Sequence, residues 1–242
     1  MKNLPEFPRY EEVYRKACEF IISQPVALLP ADPFRLISEN RWGLVSYRQL
    51  AQKTGIPVDS LIASLQSPDG CTLYNGSNYC IAYNNDVAVF GRVVFTLFHE
   101  IGHIVLGHFN DFDRGLQAQG GVRMLNSAKY RVLENEASYF ASNVMAPSVV
   151  IERCELKTVG SLRIACGMSY DAAETRLLHF KHWVPTELDQ RVQQTMLEYI
   201  RVSHRPRLSM RSVEVWRDEL PRSLSDRSWN PEEEGWRHKR VD

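Results

Sequence analysis

Apolar side chains recur at three- and four-residue intervals over residues 9–24 (Tyr10, Val13, Tyr14, Ala17, Phe20, Ile21), the spacing of an amphipathic helix. Pro25, Pro30 and Pro33 end that pattern, and Asp32-Pro33 predicts a short second helix with an aspartate N-cap and proline in the first helical position. Two more short helices are expected at Tyr47–Thr54 and Val58–Gln66, divided by Gly55-Ile56-Pro57. From Cys71 the texture changes. Cys71–Tyr74 and Tyr79–Tyr83 are rich in β-formers, and Asn75-Gly76-Ser77-Asn78 between them is turn chemistry, so a hairpin is predicted. Phe90–Phe109 is apolar nearly all round and reads as a buried helix, followed by a polar loop over 110–119. A helix over Leu133–Val144 stops before Pro147, and residues 159–184 form two short helices around Gly167 with Ser169 as an N-cap. Thr186–Val202 is helical again, and the charge-mixed stretch 229–242 reads as loose.

Composition narrows the class without naming a function. The 242 residues allow one large or two small domains, and a hydrophobic fraction of 44% with 24% charged residues is that of an ordinary globular protein. Basic and acidic residues balance at 29 each, which counts against a protein held on nucleic acid, because phosphate neutralisation needs surplus Lys and Arg. Five scattered cysteines with no CxxC pair point to reduced thiols in a cytosol. The N-terminal stretch is proline-bearing and acidic where a signal peptide needs an apolar run, and the most apolar stretch, Val93–Leu106, is broken by His99, Glu100 and His103. The expectation is a cytoplasmic protein with no membrane or direct nucleic-acid partner.

That interruption carries the chemistry. His99-Glu100-Ile101-Gly102-His103 sets two imidazoles four residues apart, on one face of a helix and one turn along it, so both can meet one tetrahedral metal ion. Glu100 is placed to reach a water on that metal and to pass its proton to a leaving amine. Val93, Val94, Phe95, Leu97, Phe98, Ile101, Ile104, Val105 and Leu106 leave no obvious solvent face, and buried histidines and carboxylates need partners. A metal is an economical one. A catalytic zinc also wants a third protein ligand. His108 lies five residues past His103, about 140° round the helix, and points away unless the helix ends. Leu106 and Phe109 break the metzincin pattern. In the next helix, Glu134 shares a face with the small residues Ala137, Ser138 and Ala141, and Glu136 shares one with Tyr139, Phe140 and Asn143. Spacing favours Glu134 as third ligand and leaves Glu136 as the alternative.

FTLFHEIGHIVLGH followed by ENEASYFASNVMAP resembles the ImmA/IrrE family of zinc metallopeptidases. The resemblance implies zinc ligands at His99, His103 and Glu134, with Glu100 as general base. Ser138 stands where that family often has Asn, which puts a hydrogen bond beside the ligands in doubt. IACGMSYDAAETRL resembles the short helical region after the family's peptidase core; the likeness spans about 40–185, is weaker over 1–39 and is absent from 186–242. It implies an α+β fold with a zincin-like core, a small sheet or hairpin packed on the HExxH helix, and added helices at both ends. The expected organisation is an N-terminal helical region at 1–66, the metallopeptidase core at 67–150, a helical, helix-turn-helix-like region at 151–185, and a C-terminal helix with a loose tail at 186–242. The implied substrate is a helix-turn-helix repressor of a mobile element or stress response, either cleaved or bound and inactivated without cleavage.

Three further features of the sequence bear on function. Tyr47–Leu61 fits a helix-turn-helix pattern, but its would-be recognition helix has no Lys or Arg and carries Asp59, which suits packing or partner docking better than DNA. His179 and His182 beside Trp183 read as packing or solvent-facing groups rather than a second metal pair. Tyr79–Tyr83 is either an edge that pairs with an extended substrate or a purely structural strand.

Overall fold

The computed structural model describes residues 5–24, 26, 28–111 and 128–203. Most of the 110–119 loop and the whole of 229–242 lie outside those residues. The fold is helix-rich α+β with one three-stranded sheet. Helix α1 (Tyr10–Ser23) buries Val13, Ala17, Phe20 and Ile21 of the stripe expected from the periodicity, with Tyr14 partly buried and Tyr10 exposed. Helix α2 (Pro33–Glu39) begins at Asp32, whose carboxylate accepts from the Phe34 and Arg35 amides, two of the four donors that a helix start leaves unpaired.

Strand β1 (Gly43–Ser46) was not anticipated: four residues are too few to show an alternation. It runs into α3 (Tyr47–Thr54), where Ser46 and Gln49 form a reciprocal capping box, and α4 (Val58–Leu65) follows. The hairpin is β2 (Gly70–Tyr74) and β3 (Tyr79–Tyr83), paired antiparallel with Tyr74 opposite Tyr79. β1 lies parallel to β3 on its other side, Gly43 opposite Cys80. The order β1-β3-β2 makes β3 the central strand. Tyr79–Tyr83 therefore has both edges filled within the sheet and does not offer the edge considered for a substrate strand; β2 is the terminal strand on that side. Cys80 and Ala82 face α3 and α4, packing with Val45, Tyr47, Leu50 and Ile62, while Ile81 joins the main core. The helix-turn-helix-like pair thus spends its apolar faces on covering the sheet.

Against the sheet's other face lies α5 (Phe90–Val105), with Val94, Leu97, Phe98 and Ile101 fully buried. It stops at Val105, four residues short of the predicted end. The chain turns through Gly107 at φ 75°, a left-handed conformation that glycine adopts freely, into a 3-10 turn over His108–Asp111. Helix α6 (Ala128–Met145) crosses α5 and is longer than predicted. They come close at Gly102, where a Cβ would meet the Ala137 carbonyl oxygen and Phe140 Cδ1 at 3.1 Å each. α7 (Ser148–Arg153), another unpredicted short element, leads to α8 (Val159–Cys166) and α9 (Tyr170–Phe180), which flank Gly167 as expected, Ser169 capping α9. The single helix predicted over Thr186–Val202 is two, α10 (Glu187–Thr195) and α11 (Leu197–Ser203), divided at Met196. One continuous apolar core draws on α1, α2, β3, α5, α6 and the later helices.

Candidate metal centre

Helix α5 carries His99 and His103 on the face turned to α6. The small residues Ala137 and Ala141 on α6, both fully buried, let the helices come close enough for one carboxylate to span both rings. His99 Nε2 lies 3.1 Å from Glu134 Oε2, and His103 Nε2 lies 3.1 Å from Glu134 Oε1. The two ring nitrogens are 3.0 Å apart. Ligands at about 2.05 Å from a tetrahedral ion sit about 3.3 Å from one another. Two imidazole nitrogens and a carboxylate converging at nearly that spacing are suited to a metal ion, and the donor atoms all lie within 4.8 Å of one another.

Charge around the cluster favours a cation at its centre. Burial pushes the Glu134 carboxyl up, but hydrogen bonds from His103 and His99 outweigh it and hold the carboxyl far below the ordinary range. Burial works against the protonated form of His99, yet Glu134 and Glu100 overcome it and raise its pKa. The Tyr130 phenol is raised by burial and by the neighbouring Glu134, to which it is hydrogen-bonded. Ser138 Oγ lies 3.2 Å from His99 Nδ1. The hydrogen bond put in doubt by the serine is therefore made by its hydroxyl.

Glu100 is buried on the same helix, and the Thr72 hydroxyl of β2 donates to its Oε2 at 2.7 Å. Both line a cleft of about 620 Å³, with His99, His103, Tyr130 and Glu134, walled on one side by β2 and on the other by α6. That volume lies within the usual range for ligand sites. Cys71 also lines it, but burial and the adjacent Glu100 push its thiol up to about 12, so it is a poor nucleophile.

Glu136, the alternative third ligand, faces away from this cluster. It is fully buried, accepts from Arg9 through the backbone N, Nε and Nη2 at 2.7–2.9 Å, and lies 3.1 Å from His108 Nε2. Because α5 ends at Val105, His108 swings back and brings its Nδ1 to 2.8 Å from His103 Nδ1. Phe109 holds the turn there, its ring packed against Tyr74, Tyr79 and His103. Burial, aided by the neighbouring His103, lowers the His108 pKa against the opposing pull of Glu136. His108, Glu136 and Arg9 thus form a second layer that helical spacing alone did not join. The signal for the first link was present: Leu106-Gly107 is a helix stop, and a stop returns residue 108 toward the site. Thr72 and Tyr130 had no comparable signal. His179 lies against Tyr139, in a T-shaped ring contact. All five cysteines are free thiols, and among the described residues no helix is long and apolar enough to cross a membrane.

Two histidines and a glutamate around one point, with a further carboxylate in the same cleft, define a site of metallopeptidase type. Residues 60–178 match the family model described as Peptidase_M78, IrrE N-terminal-like domain, and this part of the chain belongs to that ImmA/IrrE peptidase family. No curated protein matches the chain.

Proposed function

We propose that the protein is a zinc-dependent metallopeptidase that hydrolyses a peptide bond in a protein partner. The observation that carries the reading is the convergence of His99 Nε2, His103 Nε2 and both Glu134 oxygens beside Glu100 in one cleft. Zinc, as the ion that best suits two imidazoles and a carboxylate, supplies Lewis-acid chemistry that polarises a carbonyl and lowers the pKa of water toward about 7. Glu100 is the general base. Its Oε2 is oriented by Thr72, which leaves Oε1 to take a proton from the attacking water and hand it to the departing amine. Tyr130 and Ser138 orient Glu134 and His99. The core is read as zincin-like over 67–150, between an N-terminal helical region and the helical parts at 151–185 and 186–242.

The partner is a helix-turn-helix repressor, and the site of action is the cytoplasm. An even charge balance and the burial of the α4 apolar face against the sheet suit a protein that acts on a DNA-binding partner without itself binding DNA. Metal analysis of purified protein tests the centre: zinc in the wild type and its loss in His103→Ala are expected, and equal zinc in both sinks it. Co-expression with a candidate helix-turn-helix repressor, followed by mass spectrometry, tests cleavage. A new fragment that disappears in Glu100→Gln supports the peptidase. An intact repressor held in a stable complex identifies a non-cleaving metal-bound regulator instead.

A further inference from the structure

His103 turns its two ring nitrogens to different surroundings. Nε2 faces His99 and Glu134, while Nδ1 faces His108 in an interior where His108 and Glu136 are fully buried. Counting hydrogens along this second side leaves one arrangement compatible with ligation. Arg9 donates to both Glu136 oxygens, so Glu136 is an acceptor and the hydrogen in the His108–Glu136 contact sits on His108 Nε2. The Nδ1–Nδ1 contact at 2.8 Å holds a single hydrogen. If that hydrogen belonged to His108, His103 would carry its own on Nε2, pointing at the position a metal would take. With it on His103 Nδ1, the Nε2 lone pair is free to ligate once a metal stands between it and Glu134 Oε1, now 3.1 Å away.

We infer that Arg9, Glu136 and His108 are positioning residues that lock His103 as the Nδ1–H tautomer and so prepare its Nε2 as a ligand. The inference rests on the metal reading above and deepens it. Partners of this kind fix ring orientation and raise ligand basicity, and losing them costs metal affinity about 10- to 100-fold. Arg9 lies outside the segment 60–178 that matches the family, so the approach to α1 completes a site whose donors lie elsewhere.

Glu136→Gln discriminates. Arg9 N and Nε both demand an oxygen at Oε1 while Nη2 alone faces Oε2, so two donors outweigh one and the new amide turns its NH2 to the side of His108 Nε2. The hydrogens along the chain then reverse, and His103 acquires its proton on Nε2. The expected result is a zinc Kd about 10- to 100-fold weaker in chelator competition. A second pair guards against misfolding: His108→Gln retains an oxygen that accepts from His103 Nδ1–H and holds zinc near the wild-type Kd, whereas His108→Leu loosens it about tenfold. Wild-type affinity in Glu136→Gln, or equal affinity in the two His108 variants, overturns the inference while leaving a zinc-binding wild type intact. A wild type that binds no zinc overturns the metal reading and this inference with it.

Discussion

Thr72 donates to Glu100 at 2.7 Å from a neighbouring strand, a hydrogen bond that a backbone helix dihedral cannot supply. Hydrogen bonds to charged groups are worth about 1.5–3 kcal/mol. Thr72→Val keeps the shape and removes the donor, so the proposed peptide-bond cleavage should fall about tenfold with metal content unchanged; the rate of fragment formation checks it. Arg9 and Glu136 make a different kind of pair. Burial pushes the Glu136 carboxyl up, but hydrogen bonds from Arg9 and His108 outweigh it and hold it down to about 2, against an ordinary 4.5. A carboxyl depressed on folding contributes stability that is present above its unfolded value and lost as pH falls through the folded one. Removing one partner of a fully buried pair costs about 3–5 kcal/mol; with the Arg9 side chain 37% exposed, solvent screening reduces this to roughly 1–3 kcal/mol for Arg9→Ala. Urea unfolding of Arg9→Ala and wild type should differ by that amount near pH 6. The gap should close as pH falls from about 4.5 toward 2.

At the scale of elements, the centre exists because α5 and α6 approach closely at Gly102. A methyl there meets backbone of α6 and the fully buried Phe140 ring, neither of which can yield easily. Alanine is the better helix former by about 1 kcal/mol, but overpacking costs about 1–3 kcal/mol. Gly102→Ala should therefore lose roughly 1 kcal/mol net on these magnitudes, measured by denaturant unfolding. It should also weaken zinc binding, because His103 follows Gly102 directly while Glu134 rides on the displaced helix. The end of α5 matters as much as its face. Had the helix run on to Phe109 as its apolar pattern predicts, His108 would point away from the site. Gly107 and the packing of Phe109 against Tyr74 and Tyr79 turn it back.

Across the whole molecule, the donors come from α5 and α6 while their supports come from the start of α6, for Tyr130, and from three other places: β2 for Thr72, the 3-10 turn for His108 and the residue before α1 for Arg9. A metal that binds only this assembled state stabilises it by mass action, about 4 kcal/mol at a thousandfold excess over Kd. With about 2–4 °C per kcal/mol for a chain of this size, zinc should raise the melting temperature by roughly 8–16 °C, and a chelator should reverse it. His103→Ala should show no such rise in a thermal scan.

Local pattern alone determined a good deal. The amphipathic helices, the hairpin, the caps at Asp32 and Ser169, and the His99–Glu100–His103 face are short-range features, governed by helical or strand period and by side chains that bond their own backbone. The choice between Glu134 and Glu136 was only half legible, since both face inward and both are surrounded by cationic or imidazole groups. Strand β1, the central position of β3, the Ser138 contact with His99, and the chain from His103 through His108 and Glu136 to Arg9 were decided by tertiary structure. Their partners lie as far apart as residues 9 and 136, and no period along one segment encodes a contact across 127 positions. Packing of the shared core brings those groups together, and burial then makes each of them find a partner.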